Sequence, residues 1–201
     1  MIETNKKNYK PGVRQFGLIN WRGTASLLLK EINRFLIVWS QTLFAPLITT
    51  IIFYSVFSIS LGNDRPDVLG VNFMSFLLPG LISMACIQQS FSHSSSSIMM
   101  GKIMGTIVDT ISSPLSAGEV VFALIFASIT RSFMIAIVSI TVFWFFVDLK
   151  IFSFSKIFIF LFLSSFILGA AGFIAGLWAE KFDHMATVTS FIIIPLSFLS
   201  G

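Results

Sequence analysis

Of 201 residues, 55% are hydrophobic and only 11% are charged, far short of the roughly one quarter that a soluble domain carries. Thirteen Lys and Arg against nine Asp and Glu leave a net charge of +4, and the single Cys86 rules out an internal disulfide or a cysteine-rich metal site. A soluble catalytic domain is excluded, and the expected fold is all-α: a polytopic transmembrane helix bundle.

Residues 1–34 read as a cytoplasmic arm that ends in an interfacial helix. Leu18, Trp21, Ala25, Leu28, Ile32 and Phe35 recur at helical spacing, and Arg22, Ser26, Lys30 and Arg34 fall opposite them. A basic amphipathic helix of this kind lies at a membrane surface, either as an anchor or as a contact for a cytoplasmic partner.

Residues 35–201 form the transmembrane part. A roughly 30 Å hydrocarbon core takes about 20 apolar residues per helix, and the spans fall at about 35–61, 73–91, 120–147, 157–179 and 185–201. The first starts too late and runs too long for a cleavable signal. Pro46, Pro79 and Pro195 each fall within a span, where proline is tolerated and kinks the helix.

Between spans two and three, residues 99–119 carry a short apolar face, Ile103, Ile107, Val108 and Ile111, closed by Pro114. Ser116 and Glu119 then have the spacing of a capping box for the third span. Such a loop is either an interfacial turn or a docking element for another subunit. Arg131 is the one charge deep inside a span. Counted from Val147 it lies near the inner boundary and can snorkel; counted from Val120 it lies mid-membrane and must face the bundle interior. No acidic residue is placed at comparable depth. In the fourth span, Ser165, Gly169, Gly172 and Gly176 make a stripe of small residues for close helix packing, within the subunit or across a dimer.

Orientation follows from the basic residues. Seven precede the first span (Lys6, Lys7, Lys10, Arg14, Arg22, Lys30 and Arg34), and Lys102 and Lys181 fall on the same side. Only Arg65, Lys150 and Lys156 fall opposite, so the N-terminus is expected in the cytoplasm. No nucleotide-binding loop is present: five places before Gly101-Lys102 stands Ser96, not glycine. His93 and His184 lack metal-site spacing, and the serines after His93 lack a nucleophile elbow. No catalytic, cofactor or metal residue is therefore expected on this chain.

From about Lys30 onward the sequence resembles the ABC-2-type permease family, the membrane subunits of ATP-driven exporters. The resemblance rests on Lys30-Glu31-Ile32-Asn33-Arg34-Phe35, Trp39, Gln41-Thr42-Leu43 and Pro46, then Leu78-Pro79-Gly80-Leu81. It continues through Gly105-Thr106-Ile107-Val108-Asp109, Ser113-Pro114-Leu115-Ser116, Phe182-Asp183 and the run from Pro195 to Gly201. It implies a multi-pass inner-membrane permease working as a homodimer. Each half would dock on a cytoplasmic ABC ATPase, which holds the ATP and Mg, through Ile103, Thr106, Ile107, Asp109, Ile111, Pro114 and Glu119. Its partners would be that ATPase, a second permease copy and the bilayer, with no nucleic acid. Such permeases have six spans, so the chain reads as truncated in its fifth.

A stand-alone secondary carrier or channel is the competing reading. Ion-driven carriers place acids within their spans. Here all nine Asp and Glu fall in terminal segments, loops or span ends.

Overall fold

The computed structural model describes residues 19–61, 68, 70–147 and 153–199. Leu18 of the apolar stripe, the charges of residues 1–18, Asp64, Arg65, Asp67, Asp148, Lys150 and the final Ser200-Gly201 lie outside the described residues. Helices follow one another closely: α1 (Trp21–Ile37), α2 (Trp39–Leu61), α3 (Phe73–Ile103), α4 (Ile107–Ser112), α5 (Ala117–Trp144) and α6 (Phe154–Trp178). Then α7 (Phe182–Val188) runs through a π-helical turn (Thr189–Ile193) into α8 (Ile194–Leu199). Five stretches are long and apolar enough to cross a membrane: Trp39–Ser60, Phe73–Ile103, Ala117–Trp144, Phe154–Trp178 and Phe182–Leu199. The chain is the all-α polytopic bundle that composition requires. Among the described residues, β structure is limited to one isolated bridge between Val68 and Val71.

Span boundaries shift by up to three residues elsewhere, and two move further, each for a physical reason. The first span starts at Trp39 rather than Phe35, because Asn20 caps a separate helix that runs on to Ile37. That helix seats Thr24, Leu27, Glu31 and Phe35 against the bundle. Of the expected apolar stripe, Trp21 and Ala25 are exposed, Leu28 and Ile32 are half-buried and Phe35 is buried, so the stripe runs from the outer surface at its start to the packing side at its end.

The second span does not stop at Phe91. It continues through the serine run to Ile103, since those serines need no water: Ser95 donates to Phe91 O at 2.8 Å and Ser96 to His93 O at 3.1 Å. Gly105, at φ +73°, then ends the helix in a conformation that costs a glycine little. The capping box at α5 is present, with Glu119 N donating to Ser116 Oγ at 3.3 Å and Ser116 N to Glu119 Oε2 at 2.7 Å. In the last span the π-helical turn immediately precedes Pro195, whose missing N–H interrupts the regular ladder.

The bundle is organised around α3, which packs on α6, α5 and α2. A Cβ at Gly172 would collide with the carbonyl oxygen of Phe91, one at Gly169 with Ser128 Oγ, and one at Gly176 would lie 2.9 Å from Ser95 O. The small-residue stripe of α6 therefore meets α3 and α5 of its own chain. Hydroxyls reinforce this seam: Ser165 donates to Ser132 Oγ (2.7 Å), Ser132 to Cys86 O (3.3 Å) and Ser90 to Ser165 O (2.7 Å). Each such bond in a membrane interior is worth about 0.6 kcal/mol on average.

Candidate functional site

The sequence-expected residues separate into two places, one at the end of the bundle and one in its middle. At the end, the starts of α1 and α5 meet. The backbone N–H of Asn20 donates to Glu119 Oε1, and Asn20 Nδ2 donates to Pro114 O at 3.1 Å. Asn20 Oδ1 in turn accepts from Gly23 N at 3.0 Å. One carboxylate thus serves two helix N-termini, where negative charge is favoured by the unpaired N–H groups and the helix dipoles. On the same end, Lys102 Nζ donates to Leu177 O and Ala179 O and so satisfies carbonyls that the end of α6 leaves open.

Between these two fixed points hangs α4. It has six residues, none of them buried, and its N-cap residue Thr106 makes no side-chain capping bond. Ile103 belongs to the end of α3, not to α4, so the expected single face of Ile103, Ile107 and Ile111 does not exist as one helix surface. Ile107 instead turns inward, its side chain lying over Gly101. The exposed apolar groups are Val108 (61%) and Ile111 (75%), with Ile103 and Met104 beside them. Thr106, Asp109 and Pro114 are exposed as well.

In the middle of the bundle, Arg131 is near the halfway point of α5, about 20 Å from either helix end at 1.5 Å per residue. The guanidinium faces inward. Arg131 Nη2 donates to Gln89 Oε1 at 2.6 Å, and Nη1 lies 3.5 Å from His93 Nδ1. A guanidinium only donates, so His93 Nδ1 is the acceptor and its proton resides on Nε2. Among the described residues that Nε2 is buried without a hydrogen-bond partner, as is Arg131 Nε. His93 is fully buried, with Phe35 edge-on at 5.5 Å. Arg131 is therefore held by neutral groups.

One buried acid is among those that the sequence reading placed outside the spans. Glu31 is only 4% exposed. It accepts from Ser97 Oγ at 2.7 Å and pairs with Arg34 at 3.1 Å. The sequence reading points to neither Asn20 nor Gln89, and marks Glu31 only as part of the motif Lys30-Glu31-Ile32-Asn33-Arg34-Phe35. Asn20 had a usable signal, an Asn just before a helical pattern, whereas the pairings Gln89–Arg131 and Glu31–Ser97 join residues far apart in sequence and leave no local trace.

A family model described as ABC-2 type transporter matches residues 22–201. The inner membrane transport permease YadH of Escherichia coli K12 is 28% identical over 181 residues, covering 90% of this chain and 71% of that protein. The Shigella flexneri protein of the same name matches equally. No solved structure matches.

Proposed function

The chain belongs to the ABC-2 type transporter family, and from that premise we propose that α4 is the contact through which a partner ATPase drives export. Membership makes the protein a membrane permease subunit of an ABC transporter, without an ATPase site of its own and paired with a cytoplasmic ABC ATPase. The stand-alone carrier is set aside accordingly. ATP and Mg belong to the partner, and energy reaches this chain mechanically.

The observation that carries the reading is the exposed apolar surface of α4, Val108 and Ile111, on an element with no buried residue. A helix of six residues does not persist on propensity alone, and each of these side chains would contribute about 1.5–3 kcal/mol if a partner covered it. The same end holds the start of α1 and Lys102, on the side where basic residues predominate, which supports a cytoplasmic placement of this end and of the N-terminus. Two copies of the permease would form the path between them, with Arg131 tying α5 to α3 behind it through Gln89 and His93.

Val108→Asp tests the contact, because it alters the outward face and leaves the inward Ile107 intact. Expected are a normally inserted permease, loss of co-purification with the ATPase and loss of substrate-stimulated ATP hydrolysis in nanodiscs. An intact, fully coupled complex would reduce the loop to a turn.

A further inference from the structure

Beneath α4 lies a cavity of about 640 Å³, well within the range of small-ligand sites, about 300–1,000 Å³. Its walls are mostly apolar and come from α3, α4, α5 and α6, and its α1 wall carries Lys30, Glu31 and Arg34. We propose that this cavity binds one acyl chain of a bilayer phospholipid, with the anionic headgroup at Lys30 and Arg34.

Three features favour this occupant. The first is depth. Leu124 is eight residues into α5, about 10 Å below the helix start, and Phe173 of α6 lines the same space. The floor therefore lies among membrane-spanning helices, where an acyl chain reaches naturally. A segment of a soluble partner would have to reach about 10 Å below the start of α5, in among the spanning helices.

Charge is the second. Glu31 is already committed to Ser97 and Arg34, so Lys30 leaves the site with one net positive charge, suited to a phosphate diester. The third is support. Ile107 and Ile111 line the cavity from α4, an element with no buried residue. An acyl chain beneath them gives α4 the apolar floor that the chain itself does not supply. The proposal rests on placing this end at the membrane boundary, but not on the ATPase contact.

The test uses the permease purified with its ATPase in mild detergent, and the permease alone. Native mass spectrometry should find one phospholipid retained per protomer in both. In nanodiscs, phosphatidylglycerol should be retained in preference to phosphatidylcholine, and Lys30→Gln should lower that retention about fivefold, the effect of one basic group near an anionic lipid. Val121→Trp should fill the cavity and abolish retention, whereas Val108→Asp, which breaks only the ATPase contact, should leave it unchanged. A photoreactive residue at Leu124 should give a phospholipid adduct. An adduct to the ATPase or to residues 1–18, equal retention of both lipids, or retention insensitive to Lys30→Gln would overturn the proposal. Lys30 is exposed, so its substitution remains informative if Val121→Trp does not fold.

Discussion

The α3–α5–α6 seam and the α4 end are built on opposite rules. In the seam, glycines and serines bring backbones together until no Cβ fits, and hydroxyls bond across the helices. At the α4 end, large aliphatic side chains stand over open space, and two polar clamps, Glu119 and Lys102, hold only the flanking helices. Close packing fixes geometry because every atom already has neighbours. An open end keeps its geometry only when something else completes it. The seam can transmit movement as a rigid body, and the α4 end can receive it.

Substitutions at four positions would break or sharpen that contrast. The largest effect is expected at Gly172→Leu, where a side chain must displace the backbone of Phe91. Overpacking costs about 1–3 kcal/mol even where neighbours can yield, and here a helix backbone must move. Little folded protein should be recovered in detergent. If the variant retains wild-type thermal stability, the seam is looser than described.

Arg131→Leu comes next. Insertion should improve, since a charge at the centre of a span costs about 2.5–3.5 kcal/mol, while transport at matched expression should fall to background. Arg131→Lys should restore it only partly, because an ammonium cannot span Gln89 and His93 in the same fork. Normal flux in both variants would remove Arg131 from the mechanism.

Glu119→Gln tests the end. A neutral amide serves two N-termini less well than a carboxylate, because the negative charge favoured at both helix starts is lost. Hydrogen exchange should quicken at the starts of α1 and α5 while the seam stays protected. Uniform exchange across the molecule would contradict the separation of the two regions. The smallest effect belongs to Ser132→Ala, about 1.2 kcal/mol for the two bonds of its hydroxyl, which shifts thermal stability slightly and leaves coupling intact. A large coupling defect there would show that the seam participates directly.

Much of this was legible in the sequence, and the failures have a common cause. Hydropathy located all five spans, and the spacing of Ser116 and Glu119 revealed the start of α5. The second span was cut short at Phe91 because serine and histidine lower hydropathy whether or not water reaches them; here Ser94, Ser95 and His93 are buried. The periodicity of α1 found the helix but only part of its packing face, Phe35, because that face also accepts the polar Thr24 and Glu31. Two readings of Arg131 stood open while the ends of α5 were uncertain. The helix bounds place it midway, and only the fold brings Gln89 and His93 to it.

The carboxylate of Glu119 acts as a hinge pin common to two rods. One oxygen holds the backbone of Asn20 and the other that of Ser116, a residue before α5 and only a few after α4. Any displacement delivered to α4 reaches this pin within a turn of chain, and it cannot shift α5 at its root without pulling the root of α1. A push at one small helix therefore leaves the loop as two linked movements, one along each rod.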